Sequence, residues 1–287
     1  MTEIALQGQA ITDNIGKHAC IVPMREDGSM PAFFCVHAMN GTIDGFQDLA
    51  EHLGPDQPFY AIRSPFLDGE MMSLYTMHDL ARYYVDEMRK VQPDGPYYIG
   101  GYSMGGRIAF AMAHYLKSLG QEVGLLVLLD SRSYIGRRLP PRKERLRRYW
   151  QMMTQPDRQK RKEFLRFQIE RRKAKFTAFF TRKYYSRMLR RVRRKGKKVQ
   201  PSFDLTIYLN NRINLGYVSK PYDGRAVLLK VDKSFLHSDV HDGWKQVFTE
   251  RYDVHSVEGR HLTILTKPFV QEVADVLGQH LKDAAGR

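Results

Sequence analysis

The chain has 287 residues, enough to bury a sizeable core in one α/β domain with an insertion or in two domains. Its 43% hydrophobic and 27% charged content excludes wholesale disorder, and no apolar stretch reaches the length of a bilayer-spanning helix. The net charge of +15 is concentrated: residues 137–200 hold 26 Lys+Arg against 4 Asp+Glu, leaving 20 against 27 elsewhere, so one segment makes an otherwise mildly acidic protein basic.

The first residues, MTEIALQGQAITDNIGKHAC, lack a basic start followed by an apolar segment. They read as an N-terminal extension over 1–20 without a secretory signal, and a cytoplasmic protein is expected. Beyond them, short apolar runs predict buried strands at AFFCVH (32–37), FYAI (59–62), YYIG (97–100) and LLVLLD (125–130). Cys35 lies within the first of these and reads as a buried, reduced thiol.

Helical periodicity fills the gaps. Leu80, Tyr84, Met88 and Val91 share a stripe over 78–91, and Ile108, Met112, Tyr115, Leu116 and Leu119 share one over 104–119, which Gly120 stops. After a long insertion come AVLLKV (226–231), a helix around 240–249, YDVHSV (252–257) and a last helix with Pro268 in its first turn. Strands that alternate with helices and are apolar throughout predict a mostly parallel sheet covered on both faces. The core is expected over 21–134 and 221–287, with a basic helical insertion over 135–220.

YYIGGYSMGG (97–106) carries the chemistry. Ser103 stands just after a strand and just before a helix, in Gly101-Tyr102-Ser103-Met104-Gly105, the G-x-S-x-G turn that holds a nucleophile above a parallel sheet. A phosphate-binding loop would need Gly-Lys-Ser/Thr, which is missing here. A serine hydroxyl needs a base, and the base needs an orienting carboxylate. His261, in EGRHLTIL after the last strand, is the expected base. His255 reads as structural, His280 as solvent-facing, and His237 and His241 as weaker candidates. Two aspartates compete for the third role: Asp130, ending LLVLLD, and Asp232, ending LLKVD. Asp130 is preferred, because a carboxylate closing an apolar strand is costly unless hydrogen-bonded. Backbone amides of Met104, at the helix start, and of Met39, in the exit loop HAMNG, are expected to form the oxyanion site.

IVPMREDGSMPAFFCVHAMNG, FYAIRSPFLDGE, VQPDGPYYIGGYSMGGRIAFAMAHYLKSLGQEVGLLVLLDS and EGRHLTIL together resemble the thioesterase domains of nonribosomal peptide and polyketide synthases. That resemblance implies an α/β-hydrolase fold with a helical lid. It also implies transfer of an acyl or peptidyl chain from a carrier protein's phosphopantetheine thioester to Ser103, followed by release to water or to an amine or hydroxyl. It supports Asp130 as the triad acid and Met39 and Met104 as the oxyanion amides. Neither a metal nor an organic cofactor is implied, since the phosphopantetheine arm belongs to the carrier. Ala38, Phe66 and Arg260 depart from the family's usual residues and bear on which small-molecule acyl substrate is taken. A binding protein that has kept the fold but lost the activity is the rival from another class.

The insertion interleaves aromatics with cations, as in RRKAKFTAFFTRKYYSRMLRRVRRKGKK. A packed lid that docks an acidic carrier protein is the first expectation. Contact with an anionic membrane ranks second, and nucleic acid last, for want of any nucleic-acid fold motif.

Overall fold

The apolar runs become the middle of one sheet. In a computed structural model, which describes residues 20–68, 76–133, 142–154, 156–195, 202–215, 217–231, 243–250 and 252–286, the sheet has seven strands. These are β1 (Ile21–Arg25), β2 (Phe33–Val36), β3 (Phe59–Ile62), β4 (Tyr97–Tyr102), β5 (Val123–Leu129), β6 (Ala226–Val231) and β7 (Tyr252–Val257). They lie in the order β1-β3-β2-β4-β5-β6-β7. Every pairing is parallel except β1 with β3, which is antiparallel. The architecture is α/β, as expected.

β1 escapes the sequence reading because it does not look like a buried strand. Its sequence IVPMR contains a proline and is buried only at its first residues, as befits a sheet edge.

Among the described residues the α-helices are α1 (Gln47–His52), α2 (Met77–Val91), α3 (Met104–Ser118), α4 (Arg142–Met153), α5 (Arg158–Lys195), α6 (Phe203–Leu215) and α7 (Val270–Ala285). Alternation along β2 shows how both faces are filled. Phe34 and Val36 join one core cluster with Leu80, Tyr84 and Met88 of α2 and Ile108 and Met112 of α3. Phe33 and Cys35 join another with Leu49 of α1 and Val273, Leu277 and Leu281 of α7. α2 starts at a capping box, in which the Thr76 and Asp79 side chains each accept the other's backbone N–H.

Two local expectations change. Within the helix expected around 240–249, the described part is one helical turn followed by a bridge between Phe248 and Tyr222. Trp244 fixes that turn, because its wholly buried indole donates to the Ser131 carbonyl. Pro268 lies two residues ahead of α7 rather than in its first turn.

The described residues form two compact units. Those up to 133 and from 202 onward make one, and 142–195 make the other. The segment expected as an insertion over 135–220 is thus divided, with α6 grouping with the sheet. Ile213 of α6 and Tyr217 just after it belong to the core cluster beside α2 and α3. In the second unit α4 packs on α5 through Tyr149 and the buried Phe164, with ring centroids 5.5 Å apart.

Candidate active site

Ser103 closes β4 and opens α3 with φ 58° and ψ −113°, a backbone conformation that residues with a Cβ rarely adopt. Three glycines make the turn sterically possible. A Cβ at Gly101 would lie 2.2 Å from the Gly105 carbonyl carbon, and one at Gly106 would lie 2.5 Å from the Ser131 side chain. At Gly105 a Cβ would meet the Val36 and His37 carbonyl oxygens at 2.2 and 2.5 Å.

Gly105→Ala is therefore expected to destabilise by about 3 kcal/mol, the upper end of overpacking effects, because backbone carbonyls cannot swing aside as a side chain can. Urea unfolding measures this. Gly45→Ala, where a Cβ meets nothing within 4 Å, serves as the control and is expected to stay within about 0.5 kcal/mol.

Ser103, His261 and Asp130 come together at the carboxyl ends of β4, β7 and β5. Ser103 Oγ is 3.0 Å from His261 Nε2, and His261 Nδ1 is 2.5 Å from Asp130 Oδ2. A carboxylate only accepts, so Nδ1 carries the hydrogen and the Nε2 lone pair faces the hydroxyl. The imidazole is half exposed and reachable, whereas the Asp130 carboxylate is 4% exposed. Burial is tolerable because Oδ1 also accepts from the Val231 amide at 3.4 Å. Asp130 shares with Ser103 a positive φ, 41°, and these are the described non-glycine residues with that conformation. Asp232, His237 and His241 lie outside the described residues.

Tyr102, the residue before the serine, supports the histidine loop. Its hydroxyl donates to the His261 carbonyl, and its ring lies 5.2 Å from the imidazole. Burial, with the nearby Asp130 carboxylate, pushes the phenol's pKa up and keeps it a donor.

The exit loop of β2 is held peptide by peptide. The carbonyl of Ala38, in the same peptide plane as the Met39 N–H, accepts from His37 Nδ1 at 2.5 Å and from the Gly41 amide at 3.1 Å. The next carbonyl, of Met39, accepts from Asn210 Nδ2 of α6 at 2.9 Å, and Asn210 is fully buried. Tyr84 donates its hydroxyl to His37 Nε2 at 2.6 Å, which fixes the tautomer. Gly41 is required for a steric reason: at φ 85°, its missing Cβ would sit 2.7 Å from Ser64 and 2.8 Å from Thr206. Across from this loop Met104 is the first residue of α3, and first-turn amides have no acceptor within their own helix.

Burial pushes His37 down to about 4 from the ordinary 6.5. Between these values the unfolded chain binds the proton and the folded one does not. Stability from this group is therefore complete above about pH 6.5 and falls as pH drops toward 4, by up to roughly 3 kcal/mol. His114 and His280, also lowered chiefly by burial, act in the same direction. His37→Asn is expected to be less stable at pH 7 yet flatter in its pH dependence from 6.5 to 4, as measured by urea unfolding at several pH values.

His280 is not solvent-facing. It is 8% exposed, and its Nε2 lies 2.7 Å from Nε2 of His255 on β7, so the two imidazoles pair with each other.

A family model described as "Thioesterase domain" matches residues 31–281. Malpinin synthetase of Mortierella alpina is 41% identical over 113 residues, which cover 39% of this chain and 1% of that protein. A dimodular nonribosomal peptide synthase of Bacillus subtilis (strain 168) is 37% identical over 111 residues, 39% of this chain and 5% of that one. The chain thus spans only a small part of the curated relatives' length. Among solved structures, the NocB thioesterase domain from the nocardicin cluster aligns with a TM-score of 0.62 at 20% identity, over 92% of this chain and 99% of that one.

Proposed function

Because the chain belongs to the thioesterase domain family, we propose that it is a serine thioesterase acting on an acyl or peptidyl chain held as a carrier protein's phosphopantetheine thioester. The observation that carries this reading is the continuous hydrogen-bonded series from Ser103 Oγ through His261 to the buried Asp130. In the first half-reaction His261 Nε2 takes the Ser103 proton as Oγ bonds to the thioester carbonyl carbon, and Asp130 stabilises the resulting imidazolium. The oxyanion points at the Met39 and Met104 amides. The carbon–sulfur bond then breaks, the thiolate leaves with the proton from His261, and acyl-Ser103 remains. In the second half-reaction water loses a proton to His261, attacks the ester and releases the acid, restoring the serine. Within this proposal His37 and Asn210 are positioning residues that hold the Met39 amide before charge develops.

This chemistry asks for no cofactor beyond the carrier's own arm. The segment over 135–220 is proposed as a lid, and an acyl or peptidyl carrier protein as the partner that delivers the substrate. Two free, buried thiols, Cys20 and Cys35, suit a reducing compartment such as the cytoplasm.

The test is mass spectrometry after treatment with an alkyl fluorophosphonate. A single adduct on Ser103, blocked by prior loading with an acyl thioester, is the expected result. A folded chain that leaves Ser103 unmodified removes the proposal and favours a binding protein built on the same fold.

A further inference from the structure

We propose that α5 is a membrane-contact element that lies along a surface of anionic lipid headgroups. The inference goes beyond the thioesterase reading and does not depend on it. Over its 38 residues α5 carries 17 Lys+Arg against 2 Asp+Glu. Beside the buried Phe164, five large apolar side chains of α5 face water: Phe176 is 69% exposed, Phe180 52% and Tyr184 63%, and Leu165 and Ile169 are exposed as well. At about 100° per residue these five positions fall within one arc of roughly 100°, so they form a single line along one face. Exposed Lys162, Arg172, Lys183 and Arg187 fall within or beside the same arc and alternate with the apolar residues along the helix. Phe176 and Phe180 meet edge to face with centroids 4.8 Å apart, which makes one compact apolar ridge between cations.

Each feature narrows the partner. A second copy of α5 is disfavoured, because two helices of this charge repel. Nucleic acid accounts for the cations, but phosphate contacts gain nothing from an exposed Phe pair. A compact acidic protein would also account for the cations. From Leu165 to Tyr184, however, the line runs about 29 Å along a single helix, and a flat partner engages all of it at once. An anionic bilayer surface answers both halves of the pattern. Lipid phosphates meet the Lys and Arg heads, whose stems extend toward the headgroups, while the Phe rings enter the boundary between headgroups and acyl chains.

The experiment is co-sedimentation of the full chain with phosphatidylcholine vesicles, with and without phosphatidylglycerol. Binding is expected only to the anionic vesicles, and it should weaken as salt rises. Phe176→Ser with Phe180→Ser leaves the charge unchanged and is expected to weaken binding about tenfold or more. Phe176→Trp with Phe180→Trp is expected to keep it. Far-UV circular dichroism checks that each variant retains its helices. Equal binding by the serine and parent chains would show attraction by charge alone and overturn the proposal. So would preferential capture of a duplex oligonucleotide or an acidic carrier protein when offered in competition with the vesicles.

Discussion

Ser103→Ala is expected to lower turnover of an acyl-N-acetylcysteamine thioester by about four to six orders of magnitude, with unchanged far-UV circular dichroism. The reason lies in how the proposed parts depend on one another. His261 Nε2 lies 3.0 Å from the Ser103 oxygen, and in this reading its role as base has meaning only through that hydroxyl. Removing the serine therefore removes the histidine's contribution as well. The double variant Ser103→Ala/His261→Ala should be no slower than either single one, a strongly non-additive result. The small residual rate would come from the Met39 and Met104 amides, which can still polarise a bound thioester toward attack by water. If Ser103→Ala kept more than about a hundredth of the parent rate, the acyl-serine route would be wrong.

How far the sequence foretells this arrangement depends on the range of each interaction. The runs that became β2, β4 and β5 are apolar at every position because both faces are covered, and that pattern is local and readable. The serine turn is readable for a related reason: Gly101 and Gly105 are required by clashes within a few residues or with the adjoining strand end. β1 is not readable, since its proline and half-exposed residues suit only an edge, and which strand lies at the edge is a property of the whole sheet. The supports of the loop after β2 are hidden for the same reason. His37 meets Tyr84 47 positions away, and Asn210 meets Met39 171 positions away. A buried asparagine on a helix shows no periodicity that announces its partner. His280 misleads because it falls on a closing helix that looks amphipathic, while its burial depends on the pairing with His255 from a neighbouring strand.

The sequence prefers Asp130 without excluding Asp232, since each closes an apolar strand. The structure brings Asp130 Oδ2 to 2.5 Å from His261 Nδ1, and this makes a sharp expectation possible. Asp130→Asn should lower kcat by about ten-thousandfold while changing KM little. The amide is nearly the shape of the carboxylate, so the buried site is filled and the Val231 amide keeps an acceptor in the side-chain oxygen. What changes is the direction of one hydrogen bond. An asparagine Nδ2 presented to the imidazole donates to Nδ1, which forces the hydrogen onto Nε2 and turns a donor toward Ser103, where the reaction needs an acceptor. The unfolding midpoint in urea should therefore move far less than the rate. Asp130→Ala separates the two effects: it leaves the tautomer free but opens a buried space, so it should lose stability as well as activity. A loss of less than tenfold for Asp130→Asn would mean that the imidazole is oriented by another acid, and Asp232 would then be the first residue to replace.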